Sequence, residues 1–222
     1  TNGLPKSLLP LNNTTIIGYT LDILFNSGIN DLHVVTGYKS DLIENYVLDN
    51  WKGNVAFTNN PKYENSNVLY SLYLSMPNIL DDDIIFIHAD TIFSSEILRN
   101  LINKKNTNIL LPIEFKKCGE EEMKIITKDG KITDISKSIP LDISEGEFLG
   151  LASIRSPILK MIKEKSEEMF AKNDLSFFIE AAIQELIVDR NLIVNYYDVK
   201  NEPWIEVDTE NDYIKACEMF KK

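Results

Sequence analysis

In the first half of the chain, segments with apolar residues at helical spacing alternate with short apolar runs. From Thr14 to Asn26 apolar residues recur every three or four residues, which predicts an amphipathic helix, and Gly28 is a natural stop behind it. Short apolar runs separate later helical stretches, and this β-α alternation favours a mostly parallel sheet with helices on both faces. The predicted strands are 31–36, 55–58 and a run ending at Ile87, and the predicted helices are 14–26, 40–48 with Ser40 as N-cap, 68–76 ended by Pro77, and 94–103.

The second half of the chain is richer in strand patterns. Lys128-Asp129-Gly130 separates two alternating segments, and an Asp-Gly turn in that position is a strong hairpin signal. We therefore expect an α/β protein with one domain over residues 1–222, in which a small β-rich lobe folds over the carboxyl edge of the sheet. The further predicted strands are 108–115, 123–127, 131–135, 148–154, 192–199 and a short one from Trp204, and the further helices are 157–170, 175–188 and 209–220 with Thr209 as N-cap.

The segment from Asp83 to Asp90 carries the first candidate for chemistry. Its apolar residues 84–87 predict a strand buried on both faces, and the strand leads into His88 and Asp90. Ligands of open α/β sheets bind at the carboxyl ends of the strands. A carboxylate there is costly to desolvate unless a cation or a donor meets it, so Asp90 is a candidate for metal binding or catalysis. The alternatives are that Asp90 caps a turn and that His88 is a structural, hydrogen-bonded residue.

Three other positions have both a functional and a structural interpretation. Lys6 follows Pro5, and a lysine beside a proline-fixed turn can meet a phosphate as a fixed charge; otherwise it is solvated. Asp208 precedes the predicted N-cap of the last helix, where it either contributes to capping or joins Asp90 in a Mg²⁺ site. Asn67 stands at a helix start, which suits an anion or a polar base, or an ordinary cap.

Composition and charge limit the partners. The chain has 222 residues, a formal charge of -11 and a pI of about 4.7, which argues against nucleic acid, because nucleic-acid binding relies on a basic surface. A polyphosphate substrate would need Lys, Arg or a divalent metal against this charge. Two cysteines, Cys118 and Cys217, without metal-ligand spacing fit a reducing compartment. No apolar run approaches the ~20 residues of a membrane span, so we expect a cytoplasmic protein without a membrane partner.

Taken together, the segments resemble those of nucleotidyltransferases that activate small phosphorylated compounds, especially the cytidylyltransferases for phosphocholine and aminoalkyl phosphonates. The resemblance runs over nearly the whole chain, and the order and spacing of its motifs are more specific than any single one. Those motifs are Pro5-Lys6-Ser7-Leu8, Gly28-Ile-Asn-Asp31, Val35-Thr-Gly-Tyr38, Asn67-Val-Leu-Tyr-Ser-Leu72, Ile87-His-Ala-Asp90, Met123-Lys124-Ile125, Gly146-Glu-Phe-Leu-Gly150 and Glu206-Val-Asp208.

The resemblance implies a Rossmann-like mixed sheet flanked by helices, as in nucleotide-diphospho-sugar transferases. It also implies Mg²⁺-dependent transfer of CMP from CTP to phosphocholine, 2-aminoethylphosphonate or a similar compound. Carboxylates and aromatic faces would suit a cationic amine in such an acceptor. The residues implied are Lys6 for the triphosphate; Asp90 and Asp208 for Mg²⁺; Asn67, Ser71 and His88 for the nucleotide; and Lys124, Glu147, Glu180 and Trp204 for the acceptor.

Two departures from the family pattern leave alternatives open. The family's glycine-rich phosphate loop with its arginine should precede Pro5, so we expect an N-terminal strand and loop to be missing from this sequence. The family's usual Asn-Asn pair is Asn67-Val68 here. The alternatives are a sugar- or inositol-phosphate nucleotidyltransferase and a non-catalytic nucleotide-binding regulatory domain. Both a homodimer and a fusion to another domain are compatible with the sequence.

Overall fold

The computed structural model describes residues 3–104 and 107–221. These residues form two compact units, each of which is interrupted in sequence. The interpretation of the chain as one domain over residues 1–222 stays a prediction. No helix in the described ranges is long and apolar enough to cross a membrane. The first unit contains residues 3–61, 87–100 and 201–221, and the second contains 62–86, 101–104 and 107–200.

Helices and strands are numbered in chain order. The helices are α1 (Ile16–Asn26), α2 (Ser40–Asn50), α3 (Val68–Ile79), α4 (Ser95–Asn103), α5 (Ser156–Phe170), α6 (Ile179–Arg190) and α7 (Glu210–Met219), with 3-10 turns at Lys6–Leu8 and Tyr63–Asn65. The strands are β1 (Pro10–Leu11), β2 (Thr14–Thr15), β3 (Asp31–Thr36), β4 (Asn54–Asn59), β5 (Ile84–Ile87), β6 (Thr91–Phe93), β7 (Ile109–Glu114), β8 (Lys124–Lys128), β9 (Lys131–Ser136), β10 (Gly146–Phe148), β11 (Leu151–Ile154), β12 (Asn195–Asp198) and β13 (Trp204–Glu206).

The first unit contains short two-stranded sheets and a core of its own. β3 and β4 are parallel and pair along their full lengths. β6 and β13 are antiparallel, although they are far apart in sequence. This pairing brings the C-terminal segment beside the residues that follow Asp90. One core of this unit is formed by the buried residues Leu11, Ile16, Ile92, Val207, Ala216 and Phe220.

A capping box at the start of α7 gives one testable prediction. Thr209 Oγ1 accepts from the Asp212 amide, and the Asp212 carboxylate accepts from the Thr209 amide at 2.9 Å. Thr209→Ala removes the first of these bonds, so we expect it to lower the free energy of unfolding by about 1 kcal/mol in urea denaturation. Asn211→Ala, in the same exposed turn, should change it by less than about 0.5 kcal/mol. Equal losses in both variants would contradict the capping role.

The second unit is built on a seven-stranded mixed sheet. β7 pairs with β10 and β11 in antiparallel registers and with β12 in parallel. β8 and β9 form the predicted hairpin, and its turn residues Asp129 and Gly130 have φ of 51° and 72°, as a two-residue hairpin turn requires. Alternate β7 residues Ile109, Leu111 and Ile113 share a buried core with residues of α3, α5 and α6. These helices therefore flank the sheet by burying apolar side chains against it.

The predicted α/β fold with a mixed sheet and flanking helices is confirmed, with a smaller share of parallel pairs than expected. Among the strand pairs whose register is defined, β3–β4 and β7–β12 are parallel and the others are antiparallel. The difference arises because β8, β9 and β10 of the predicted β-rich lobe pair within the seven-stranded sheet. A short connection such as the β8–β9 turn permits antiparallel pairing only.

Three predicted helix boundaries are wrong. The helix predicted over 175–188 begins four residues later, because α6 starts at Ile179. Pro77 does not end α3, which continues to Ile79, because a proline so near the C-terminal end removes only one late hydrogen bond. Ser40 is not the N-cap of α2. Lys39 takes that position in a left-handed conformation with φ of 50°, and no side chain caps this helix start.

Two strand predictions also differ from the structure. The segment 148–154 is not one strand, because Leu149 and Gly150 separate β10 from β11, and Gly150 has a left-handed φ of 78°. Both pieces still pair with β7, so the interruption is local. The run 84–87 forms β5 but is half-buried rather than buried on both faces, because β5 lies at the end of the strand order.

Candidate active site

The ammonium group of Lys6 joins the two aspartates of the predicted site. Lys6 Nζ donates to Asp90 Oδ2 at 3.1 Å and to Asp208 Oδ1 at 2.9 Å. Because both bonds end on one nitrogen, the two carboxylate oxygens are no farther apart than the two bond lengths together. Asp90 and Asp208 therefore converge within the first unit. A metal site shared by the two aspartates requires this convergence.

Short elements hold these three side chains in place. Lys6 opens a single 3-10 turn directly behind Pro5, whose φ is -54°. Asp90 lies between β5 and β6, and its carbonyl accepts from the Val207 amide at 3.0 Å. Asp208 follows β13 after one residue. Because β6 and β13 run antiparallel, the start of β6 lies beside the end of β13, and both aspartates lie at the same end of this ladder.

The charges of this group remain partly solvated. The side chains of Lys6 and Asp90 are 34% and 29% exposed, and that of Asp208 is 64% exposed. Burial on its own lowers the pKa of Lys6, but the hydrogen bond to Asp208 and the charge of Asp90 outweigh it, so the pKa is raised. Lys6 is therefore a cation at neutral pH. Exposed ion pairs contribute only about 0–1 kcal/mol to the free energy of unfolding. These contacts therefore place charges at the site more than they stabilise the fold.

Glu206 belongs to the same group, although sequence reasoning did not select it. Donor atoms of His88, Asp90 and Glu206 lie within 4.8 Å of one another. Burial lowers the pKa of His88 in spite of the nearby charges of Asp90 and Asp208, so its imidazole is neutral at pH 7. The signals in the sequence for Glu206 are its place at the end of a strand and in the motif Glu206-Val-Asp208. Its proximity to Asp90 depends on the β6–β13 pairing, which no local pattern predicts.

This donor set fits the predicted Mg²⁺. Mg²⁺ takes oxygen ligands and is usually bound in proteins by one or two carboxylates together with waters and substrate phosphates. Asp90 and Asp208 offer such oxygens around a position where one cation, the Lys6 ammonium, already contacts both. The two aspartates are thus the residues that would hold Mg²⁺, and a bound Mg²⁺ would neutralise phosphate charge there.

In the second unit, Asn67 is the N-cap of α3. Its Oδ1 accepts from the Val68 amide at 2.8 Å, and its own amide donates to the Leu175 carbonyl at 2.8 Å. The interpretation of Asn67 as a cap is confirmed. Ser71 lies one turn later, and its amide donates to the Asn67 carbonyl. Roles of Asn67 and Ser71 in nucleotide binding stay predictions.

Lys124 holds a loop of the second unit. Its side chain is buried, at 1% exposure, and Nζ donates to the carbonyls of Gly119, Glu120 and Glu122 at 3.2, 2.8 and 3.3 Å. An ammonium group has three protons, so three acceptors satisfy it fully. A contact between Lys124 and an acceptor substrate stays a prediction.

The loop contacts of Lys124 lead to a second prediction. Lys124→Met keeps the length and apolar packing of the side chain but leaves three carbonyls without this donor. We expect the free energy of unfolding to fall by about 2–4 kcal/mol in urea denaturation. Lys128→Met, exposed in the same hairpin, should change it by less than about 0.5 kcal/mol. Weaker acceptor binding at unchanged stability would instead assign Lys124 to the substrate.

Glu147 belongs to a group of charges in the second unit. It is 6% exposed on β10, and its carboxylate pairs with Lys116 Nζ at 2.6 Å. Glu114 and Glu122 each lie 3.6 Å from the same nitrogen. Burial raises the pKa of Glu147 above its usual value, although the Lys116 charge opposes this shift. Three carboxylates around one lysine leave a net negative charge there.

Glu180 and Trp204 are the remaining predicted acceptor residues, and they belong to different units. Glu180 is 2% exposed in the first turn of α6, and Trp204 is half-buried on β13, opposite Phe93. Of the predicted site residues, the first unit holds Lys6, His88, Asp90, Trp204 and Asp208, and the second holds Asn67, Ser71, Lys124, Glu147 and Glu180.

Two characterised proteins that are similar to this chain are named as cytidylyltransferases. The chain is 24% identical over 224 residues to the choline-phosphate cytidylyltransferase of Streptococcus pneumoniae, and the match covers 100% of this chain and 91% of that protein. It is 30% identical over 106 residues to the CTP:phosphoglutamine cytidylyltransferase of Campylobacter jejuni, which covers 46% of this chain and 41% of that protein.

Solved structures share the fold. The CTP:phosphocholine cytidylyltransferase of Streptococcus pneumoniae superposes with a TM-score of 0.79 at 22% identity, covering 99% of this chain and 91% of that one. The inositol-1-phosphate CTP transferase of T. maritima gives a TM-score of 0.81 at 19% identity, covering 100% and 91%. Both similarities confirm the nucleotide-diphospho-sugar transferase-like fold.

Residues 1–120, more than half of the chain, match the model of the MobA-like NTP transferase domain. That match favours an enzyme over the non-catalytic regulatory domain that the sequence left open. The chain belongs to the MobA-like NTP transferase family and is a nucleotidyltransferase similar to cytidylyltransferases.

Proposed function

We propose that this enzyme is a Mg²⁺-dependent cytidylyltransferase that joins CMP from CTP to a small phosphorylated or phosphonate amine and releases pyrophosphate. Phosphocholine and 2-aminoethylphosphonate represent the acceptor class. The observation that supports this proposal most strongly is the convergence of Asp90 and Asp208 on the Lys6 ammonium. The names of the two cytidylyltransferase relatives support the choice of CTP.

The reaction needs placement of charge rather than a protein nucleophile. An oxygen of the acceptor phosphate or phosphonate attacks the α-phosphorus of CTP, and the bond between that phosphorus and the oxygen bridging to the β-phosphate breaks. Pyrophosphate leaves with the electron pair of that bond. The attacking dianion is already a nucleophile, so no general base has to remove a proton from it. Positioning and neutralisation of charge carry most of such a transfer.

Three residues of the first unit, Lys6, Asp90 and Asp208, have roles in this proposal. Asp90 and Asp208 would hold Mg²⁺, which would neutralise phosphate charge when bound. Lys6 leaves its two carboxylate partners for the triphosphate and offsets the negative charge that develops on pyrophosphate. The formal charge of -11 makes such a local cation necessary, since the protein otherwise repels a polyphosphate.

An amine-bearing acceptor suits the charge of the second unit. Glu114, Glu122 and Glu147 surround Lys116 and leave a negative excess. A cationic head group is attracted to such a region, whereas a neutral sugar gains little from it. The proposal therefore favours an amine over the sugar- or inositol-phosphate acceptors of the alternative.

Pyrophosphate release tests this function. The enzyme is incubated with Mg²⁺, each of the common nucleoside triphosphates and a panel of acceptors: phosphocholine, phosphoethanolamine, 2-aminoethylphosphonate, glucose 1-phosphate and inositol 1-phosphate. We expect release with CTP and amine-bearing acceptors, and loss of release when a chelator removes Mg²⁺. Release with a sugar or inositol phosphate alone would select the alternative acceptor class, and silence with every amine-bearing acceptor would reject the proposal.

A further inference from the structure

A second group of donor atoms lies beside the Lys6 contacts. One atom each from His88, Asp90 and Glu206 lies within 4.8 Å of the others. Ligands of one small divalent cation lie about 2.0–2.2 Å from it, which places opposite ligands up to about 4.4 Å apart. An inward shift of a few tenths of an ångström would therefore let these three side chains share one cation. Among the described hydrogen bonds, Lys6 contacts only the Oδ2 atom of Asp90. Asp90 can therefore contribute to the group with Lys6 and Asp208 and to the group with His88 and Glu206.

Thr91 gives an independent indication of a ligand at this position. It is 0% exposed, and its Oγ1 has no hydrogen-bond partner among the described residues. Thr91 is the direct cross-strand partner of Glu206 in the β6–β13 ladder. Directly opposite residues of an antiparallel pair project from the same face, so the side chains of Thr91 and Glu206 lie on the same face of the ladder. A buried hydroxyl without a partner is costly, which is explained if a ligand or its bound water completes the site.

We propose that His88, Asp90 and Glu206, with the Thr91 hydroxyl beside them, bind a first-row transition-metal dication such as Mn²⁺. The donor chemistry decides the class of metal. An imidazole nitrogen with two carboxylates suits Mn²⁺, Co²⁺ or Zn²⁺, whereas Mg²⁺ prefers a shell of oxygens alone. This site shares Asp90 with the pair assigned to Mg²⁺ but uses His88 and Glu206 in place of Asp208, and it does not depend on which nucleotide or acceptor the enzyme uses.

Mn²⁺ binding to the complete chain without nucleotide tests the proposal. The electron paramagnetic resonance signal of free Mn²⁺ gives the affinity, and pulsed measurements detect a nitrogen nucleus coupled to bound Mn²⁺. We expect one bound Mn²⁺ with such a nitrogen in the wild type and in Asp208→Asn. Glu206→Gln should weaken binding at least about tenfold, as removal of a metal-site partner does. His88→Asn should remove the nitrogen coupling.

Two further variants, Glu210→Gln and Thr91→Val, separate a metal site from a structural role. Glu210→Gln, an exposed carboxylate of the same unit, should bind Mn²⁺ like the wild type. Thr91→Val removes only the hydroxyl, so the metal-free protein should unfold at an unchanged or higher temperature while Mn²⁺ binding weakens; unchanged binding removes Thr91 from the site. Wild-type Mn²⁺ affinity in Glu206→Gln, or bound Mn²⁺ without a coupled nitrogen, would overturn the proposal. Pyrophosphate release by the wild type, measured separately, would then show that the proposed function survives.

Discussion

Asp90→Asn is expected to reduce pyrophosphate release by at least about 100-fold while leaving the fold intact. The amide keeps one oxygen and nearly the same volume, so the Lys6 contact and the β6–β13 ladder can persist. It removes one of the two negative charges that converge on Lys6 and are proposed to hold Mg²⁺. Losses of this size follow when a group that stabilises transition-state charge is removed. Steady-state rates at saturating CTP, measured over a range of Mg²⁺ concentrations, provide the measurement.

The control for Asp90→Asn is Asp22→Asn, which removes a carboxylate from an exposed position of α1. It should leave both the rate and the thermal unfolding temperature unchanged. Wild-type turnover in Asp90→Asn would remove Asp90 from the metal site. A large fall in its unfolding temperature would mean that the variant reports on folding, in which case Asp208→Asn, at a more exposed position, gives the cleaner comparison.

Lys6→Met should lower kcat/KM for CTP by about 100- to 1000-fold. The ammonium is the only cation that the described ion pairs place against Asp90 or Asp208, and Met replaces it with an apolar chain of similar length. Without it, two carboxylates face an incoming triphosphate with no compensating side-chain charge. We expect the loss to appear at every Mg²⁺ concentration, because a dication at the aspartates cannot also replace a lysine at the pyrophosphate.

Lys215→Met, on the exposed face of α7, is the matched control and should retain wild-type kinetics. Full rescue of Lys6→Met by high Mg²⁺ would contradict a separate role for the lysine at the triphosphate. It would indicate instead that Lys6 only neutralises the two aspartates.

Local patterns predicted the helices and strands of the chain well. The strand 31–36 has the predicted bounds, and Thr209 caps α7 as expected. Both depend on neighbours in sequence: a short apolar run bounded by polar residues, and a hydroxyl three residues before an acidic side chain. The errors have both local and distant causes. The half-burial of β5 depends on its place in the sheet order, which is a distant cause. The break at Gly150 and the N-cap at Lys39 depend on a local left-handed backbone conformation.

Only part of the candidate site could be predicted from the sequence. Lys6, Asp90 and Asp208 were selected because each stands at the end or start of an element, and the structure brings them together. Glu206 was missed because its proximity to His88 and Asp90 comes from a ladder between distant segments. Lys124 was assigned to the acceptor by resemblance. Its three contacts with loop carbonyls depend on side-chain geometry that the sequence does not contain.

The contacts of Lys6 span the chain, since its two carboxylate partners lie 84 and 202 residues away. During synthesis on the ribosome, Lys6 and Asp90 emerge long before Asp208 does. A nascent or prematurely terminated polypeptide that stops short of β13 therefore lacks Asp208 and the strand that pairs with β6, even if its earlier helices and strands have folded. Under the proposed function, such a fragment should release no pyrophosphate, because it cannot bring Lys6, Asp90 and Asp208 together.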